Sequence, residues 1–315
     1  QNPSYITRNH GYMIYDTLFA QNAKGAIKPQ MVDSWKVSAD KKTWSFKLRD
    51  GLKWSDGTPV TAADCVASLK RWGGRDVSGR LLFAAVGEIK AVDTANFIIT
   101  LKSPFGPVLE MLGKPSSNVP FMMPERIAAT DPAEQIKDTV GSGPFIFKRD
   151  EWVPGSKVVY VKNPNYVPRK EPADGLAGGK VVKVDRVEWN YIPDQNTALT
   201  AFRKGEMDIY EMPPADFIPT LTTDANIKLA ADPLGNQGWL RPNHLAAPFD
   251  NPKARQALYY IVNQGEYLAA AGFPEAYRHK PCMAYFMCGS VNESFAGATP
   301  YAGGKDLEKA KKLLQ

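Results

Sequence analysis

The sequence has few side chains that could serve as metal ligands or nucleophiles. It contains only three histidines in 315 residues, His10, His244 and His279, and none of them has the HExxH or another metal-ligand spacing. It also lacks a GxSxG nucleophile elbow, a GxxxxGK[ST] phosphate loop and a GxGxxG dinucleotide loop. These absences argue against an enzyme without excluding one, and we expect neither catalytic residues nor a cofactor.

Long apolar runs and long runs of like charge are also absent. No stretch approaches the roughly 18 consecutive apolar residues of a membrane span. The 39 basic and 33 acidic residues give a net charge of +6 and are interspersed. A nucleic-acid groove would concentrate basic residues beside exposed aromatic ones, so we expect no nucleic-acid partner. Residues Gln1 to Arg8 lack the pattern of a secretory signal, and we expect that such a signal was removed or lies upstream.

The three cysteines differ in their surroundings. Cys65 lies on the apolar stripe of a predicted helix and is expected in a core. Cys282 and Cys288 lie close together in the short loop PCMAYFMCG. Zinc would need two further ligands where only His279 is near, and a reactive thiol would need a basic setting that the loop lacks. A disulfide between Cys282 and Cys288 is therefore favoured, which implies an oxidising compartment.

Strand and helix patterns alternate along the chain, which predicts an α/β or α+β fold. The length is too great for one ordinary core and predicts two or three lobes. The predicted strands cover residues 44–48, 97–101, 144–148, 157–161, 182–192 and 207–210. Helices are predicted after the capping residue Thr61, at 197–204, after a cap near Asp250, and from Asp306 to the chain end.

Two polar and aromatic clusters are candidate binding sites. The segment 236–243 brings amides, a tryptophan and an arginine into a strand-like stretch, as ligand pockets often do. Its candidate residues are Gln237, Gly238, Trp239, Arg241 and Asn243. The alternative is an ordinary strand with one buried Trp. The second cluster is Arg8, Asn9, His10 and Tyr12, for which the alternative is an exposed chain end.

Five blocks of sequence, in order, resemble one protein family. Residues 34–72 read SWKVSADKKTWSFKLRDGLKWSDGTPVTAADCVASLKRW. This block closely resembles the signature of the family 5 extracellular solute-binding proteins, the oligopeptide- and dipeptide-binding group of ABC importers. The later blocks are VGSGPFIFKRDEWVPGSKVVYVKNPNYV (140–167), PDQNTALTAFRKGEMDIYE (193–211), NHLAAPFDNPKARQALYYIVNQ (243–264) and DLEKAKKLL (306–314).

The resemblance implies an α/β fold of the periplasmic-binding-protein type (type II, peptide-binding class) with mixed sheets. It implies a first lobe of residues 1–27 and 141–232, a smaller inserted lobe of 28–140, and a second large lobe that starts at 233 and is incomplete at 315. Members of the family extend beyond both ends of this sequence, so we expect the chain to be part of a longer protein.

The resemblance also implies a function. The protein would be the periplasmic substrate-binding component of an ABC transporter, a monomer that captures a peptide or similar small solute in an interlobe cleft and delivers it to the importer's membrane subunits. In this arrangement Arg8, Asn9 and His10 would lie at the rim of the cleft. Arg241 would pair with a ligand carboxylate and Trp239 would form an apolar wall. The alternatives are a ligand-sensing domain of a regulator or a secreted hydrolase.

Overall fold

The computed structural model describes residues 4–232, 235 and 237–315. The chain divides into two compact units after Tyr191. The division into three lobes stays a prediction, and its boundary residue Pro233 lies outside the described residues, as does Asn236 of the predicted binding segment.

The first unit contains three antiparallel sheets and five helices within its described residues. Its helices are α1 (Tyr5–Ile14), α2 (Ala62–Arg75), α3 (Val77–Ala85), α4 (Val108–Leu112) and α5 (Glu125–Ala128), with a 3₁₀ turn at Arg149–Glu151. Its strands are β1 (Phe19–Gln21), β2 (Ile27–Pro29), β3 (Val32–Val37), β4 (Thr43–Leu48), β5 (Val86–Ala91), β6 (Asn96–Leu101), β7 (Phe145–Phe147), β8 (Lys157–Lys162) and β9 (Arg186–Asn190). The mixture of helices and sheets confirms the predicted α/β class.

The largest core lies on the sheet with strand order β3-β4-β6-β5. Trp44, Phe46 and Leu48 of β4 are buried and alternate with exposed neighbours, as the period of two in the sequence predicts. Helix α2 covers this sheet, and its Cys65 is a fully buried free thiol, which confirms the core position. A second core lies between α1, the β7-β8-β9 sheet and residues 119–128.

Helix α2 begins at the predicted capping box. The Thr61 side chain accepts a hydrogen bond from the Asp64 backbone N–H, and the Asp64 carboxylate accepts from the Thr61 backbone N–H at 2.7 Å. The preceding turn bends at Gly57, whose φ of +87° lies in the left-handed region that glycine tolerates. Strand, turn, cap and helix therefore form as the local sequence signals predict.

The strand predicted at 182–192 is shorter in the structure. Only Arg186–Asn190 pairs with β8, between the partners Val161 and Lys157. Val187 and Trp189 share the half-buried face of this strand. Tyr191 lies beyond the paired residues and is exposed.

Within its described residues the second unit contains helices and irregular segments only. The helices are α6 (Gln195–Arg203), α7 (Ile218–Thr222), α8 (Pro252–Ile261), α9 (Gln264–Ala270) and α10 (Leu307–Leu314), with 3₁₀ turns at Ala215–Phe217, Glu275–Tyr277 and Thr299–Tyr301. Asp194, Asn251 and Asp306 cap α6, α8 and α10. The predicted helices are therefore confirmed, and the cap predicted near Asp250 is Asn251.

Two strand expectations in the second unit are wrong. Residues 207–210 have no strand structure, and Ile209 is 80% exposed. Residues 237–243 also have no strand pairing. A strand is stable only when a neighbour pairs with its backbone and covers its apolar face, and neither segment has such a neighbour among the described residues.

Candidate functional site

The first candidate cluster lies on helix α1, a helix that was not predicted from the sequence. Arg8, Asn9, His10 and Tyr12 all belong to this helix and are half-buried, so the cluster is not an exposed chain end. Gly11 allows the helix to approach Phe121, because a Cβ at Gly11 would lie 2.2 Å from the Phe121 ring. The helix is therefore held firmly against the second core.

Arg8 is oriented by contacts on several sides. Its guanidinium donates two hydrogen bonds of 3.2 Å to the Asn9 side-chain oxygen and one of 3.3 Å to the Ser116 hydroxyl. It also lies 4.8 Å above the ring of Tyr5. These contacts fix the position of a positive charge at the surface of the first unit, as a carboxylate-binding arginine requires.

His10 and Tyr12 turn towards the interior of the unit. The His10 Nδ1 atom lies 2.8 Å from the hydroxyl of the fully buried Tyr160, and its ring packs edge-on against Phe147. Burial lowers the pKa of the His10 imidazole below its ordinary value, which favours the neutral ring. The Tyr12 hydroxyl donates to the Pro115 carbonyl oxygen at 3.1 Å. Both side chains therefore stabilise the position of helix α1, in addition to being candidate ligand contacts.

A cavity of about 580 Å³ lies beside Arg8 and His10. Its opposite wall is formed by α2, through Arg71, Trp72 and Arg75. This volume lies within the range of small-molecule sites. These three residues were not predicted as site residues from the sequence. The spacing of Arg71 and Arg75 by four positions does indicate that both lie on one helix face.

Hydrogen bonds hold two side chains of the α2 wall in place. Arg71 donates to the Thr130 carbonyl and hydroxyl oxygens and, at 3.2 Å, to the Glu134 carbonyl oxygen. The Trp72 indole N–H donates to the Asn118 carbonyl oxygen at 2.7 Å. Guanidinium groups and aromatic rings therefore line this cavity.

The second candidate cluster is exposed on the second unit. Gln237, Gly238, Arg241 and Asn243 are all exposed, and Trp239 has 59% of its surface exposed. The alternative of a strand with a buried Trp is therefore wrong. Asn243 folds back on its own backbone, where its side-chain oxygen accepts from the Leu245 N–H at 3.0 Å.

Cys282 and Cys288 form the predicted disulfide. The structure brings its loop against the second candidate cluster, a juxtaposition that the sequence analysis missed. The Gln237 side-chain amide donates to the Tyr285 carbonyl oxygen at 3.2 Å, and the rings of Trp239 and Tyr285 lie 5.0 Å apart. The predicted disulfide and part of the predicted binding segment therefore belong to one surface.

No group of three or more His, Cys, Asp and Glu side chains that could hold a metal ion occurs among the described residues. Every helix in the described part of the chain is too short or too polar to traverse a bilayer.

Residues 26–315 match the family model for the bacterial extracellular solute-binding proteins, family 5 Middle. A probable peptide ABC transporter periplasmic-binding protein, y4tO of Sinorhizobium fredii, is 43% identical over 98% of this chain and 58% of its own length. The glutathione-binding protein GsiB of Escherichia coli K12 is 30% identical over 79% of this chain and 46% of its own length.

Solved structures show the same fold. The periplasmic binding protein AgaA of A. tumefaciens R10 in complex with agropinic acid has a TM-score of 0.74 at 25% identity, covering 100% of this chain and 60% of AgaA. The oligopeptide-binding protein AppA of Bacillus subtilis in complex with a nonapeptide has a TM-score of 0.73 at 20% identity, covering 99% of this chain and 59% of AppA. The chain thus spans little more than half the length of these proteins.

Proposed function

Because this chain belongs to the bacterial extracellular solute-binding proteins of family 5, we propose that the full-length protein is the periplasmic component of an ABC importer. Its cargo would be a peptide or a similar small solute, which it delivers to the membrane subunits as a monomer without chemical change. The observation that carries the proposal is the match to this family over residues 26–315, which contain the second candidate cluster and most of the cavity lining.

The proposed mechanism is capture by closure. A ligand shifts a protein towards its closed state only if it binds that state more tightly than the open one. The three-lobe division, with an inserted lobe at 28–140, would supply the moving parts. A hinge between rigid lobes is a common solution in periplasmic binding proteins.

The proposed solute contacts lie in the two candidate clusters, each taken on its own unit. On the first unit these are Arg8, Asn9, His10 and Tyr12, of which Arg8 carries the fixed charge beside the cavity. On the second unit they are Gln237, Gly238, Trp239, Arg241 and Asn243. Arg241 would pair with a carboxylate of the solute, because guanidinium and carboxylate form two parallel hydrogen bonds. Trp239 would contribute an apolar wall.

The test uses the full-length protein. Native mass spectrometry of the purified protein should first show a co-purified small solute. Calorimetric titration with that solute should then give an affinity at least about tenfold lower in the variant Trp239→Ala/Arg241→Ala, since losing a charge-assisted pair costs about 1.5–3 kcal/mol.

The control variant is Trp35→Ala/Arg80→Ala, which removes the same residue types from surface positions of the first unit. It should bind the solute with unchanged affinity. Normal binding by the Trp239→Ala/Arg241→Ala variant would refute the assigned site, and turnover of the solute would refute the assigned carrier function.

A further inference from the structure

The loop from Cys282 to Cys288 is closed by a disulfide and attached to helix α9. The disulfide joins its first and last residues. In addition, the Gln264 side chain pairs with the backbone of Cys282 in both directions: its amide donates to the Cys282 carbonyl oxygen, and its oxygen accepts from the Cys282 N–H, each at 2.7 Å. Gln264 is the first residue of helix α9, so the loop is attached to a regular element.

This loop carries aromatic rings at the surface. Tyr285 is 66% exposed and Phe286 is 48% exposed, and their rings meet edge-on with centroids 5.0 Å apart. Ala284, the residue before them, is buried and anchors the middle of the loop.

Trp239 completes a group of three rings. Its indole meets the Tyr285 ring at 5.0 Å and 62°. The Gln237 amide fixes the same contact through the Tyr285 carbonyl oxygen. We call the exposed rings of Trp239, Tyr285 and Phe286 the aromatic corner. Exposure of aromatic rings to water costs free energy. A cluster of rings that a disulfide and three side-chain–backbone hydrogen bonds keep at the surface is therefore suited to binding.

We propose that the aromatic corner binds an aromatic side chain of the solute, and that the Cys282–Cys288 loop is a specificity element of the site. This inference rests on the proposed function, since it takes the solute to be a peptide that contacts Trp239. It adds Tyr285 and Phe286 as contact residues, and Gln264 with the disulfide as positioning groups.

The chemistry of the corner favours an uncharged, planar group. No charged residue occurs between Lys280 and Glu293 in the sequence. The carboxylate of Glu293 accepts from the Gly289 backbone N–H at 2.6 Å and is therefore engaged. Rings that already meet edge-to-face offer both faces and edges to a further ring from the solute, which adds attraction beyond the buried area. An aliphatic side chain gains only the buried area.

The experiment uses the full-length protein and alanine tetrapeptides that carry one Phe, Leu or Lys at each position in turn. Calorimetry should show that the best Phe peptide binds about tenfold more tightly than the matching Leu peptide, as expected for one or two ring contacts. The variant Tyr285→Ala should lose most of this preference while its affinity for the Leu peptide changes less.

Tyr267→Ala is the matched control, because Tyr267 of α9 is also 66% exposed but is no part of the aromatic corner. It should keep the full preference for Phe. The variants Cys282→Ser/Cys288→Ser and Gln264→Ala should reduce the preference, because the loop is then free to move. A general loss of stability would instead lower the affinity for the Phe and Leu peptides by the same factor.

The outcomes separate the two proposals. If the wild-type protein binds none of the tetrapeptides, peptide capture itself is wrong. If it binds them without preferring Phe, or if Tyr285→Ala keeps the preference, peptide capture stands and the aromatic corner is refuted. A preference for Lys would show a cation-binding surface and would equally refute the assigned class. An unchanged preference in the double-serine variant would refute the role of the disulfide.

Discussion

Gly141 shows how one residue without a side chain permits a close contact. A Cβ added to Gly141 would lie 1.9 Å from the carbonyl oxygen of Ile14, the last residue of α1. Its neighbour Gly143 donates its backbone N–H to the same oxygen at 3.0 Å. The sequence predicts a strand at 144–148, which β7 confirms, but the contact with Ile14 is visible only in three dimensions.

We therefore predict that Gly141→Ala destabilises the protein. The Cβ would have to displace backbone atoms, and overpacking of this kind typically costs about 1–3 kcal/mol, so a loss of about 2 kcal/mol or more is expected. Urea denaturation followed by circular dichroism measures the change in the free energy of unfolding.

Gly74→Ala is the control for this variant. Gly74 is an exposed residue of α2 with nothing within 4 Å of an added Cβ. Alanine there should stabilise the helix by about 0.5–1 kcal/mol, since it restricts the unfolded chain. Equal effects of the two substitutions would contradict the proposed contact at Gly141.

At the scale of elements, Asp64 connects two helices. One of its carboxylate oxygens completes the capping box with Thr61, and the other accepts from the Glu125 backbone N–H at 2.7 Å, at the start of α5. The sequence predicts the first contact, because it is local. The second joins residues 61 positions apart and follows only from the fold.

We predict that Thr61→Ala lowers the free energy of unfolding by about 1 kcal/mol, the usual cost of losing an N-cap side chain. Thr61→Ser keeps the hydroxyl and should lose much less. Thermal unfolding monitored by circular dichroism distinguishes the two variants, and an equal loss for Ser and Ala would show that the methyl group matters more than the cap.

Elements with local signals were predicted from sequence, and elements that need a distant partner were not. The caps at Thr61 and Asp306 depend on neighbouring residues, and the structure confirms them. The strand predicted at 207–210 depends on a pairing partner that residue patterns cannot supply, and it is wrong.

The same distinction applies to the candidate site. The sequence identified Trp239 and the cysteine pair separately, by residue type and spacing. It could not bring Trp239 and Tyr285 together, because their contact depends on the path of the 45 residues between them. Similarly, His10 and Tyr160 are 150 positions apart, so the burial that lowers the His10 pKa could not be predicted.

At the scale of the whole molecule, each of the two units is stabilised internally by different interactions. The first unit has two apolar cores built on sheets, and its one cysteine is the buried free thiol Cys65. The described part of the second unit has helices, irregular segments and one disulfide. Because each unit has its own stabilising interactions, we predict that opening of one unit does not require opening of the other. Amide hydrogen exchange measures this opening.

Reduction of the disulfide should therefore act on one unit alone. Closing a short loop contributes about 2 kcal/mol in the chain-entropy model, so amides at 282–288 and at the start of α9 should exchange up to about 30-fold faster after treatment with dithiothreitol. Amides of α1 and β8 should exchange at an unchanged rate, because the first unit contains no disulfide that could be cleaved. The variant Cys282→Ser/Cys288→Ser should exchange rapidly with or without the reductant. Faster exchange in α1 on reduction would instead show that the loop stabilises both units, and the units could then not be treated as independent.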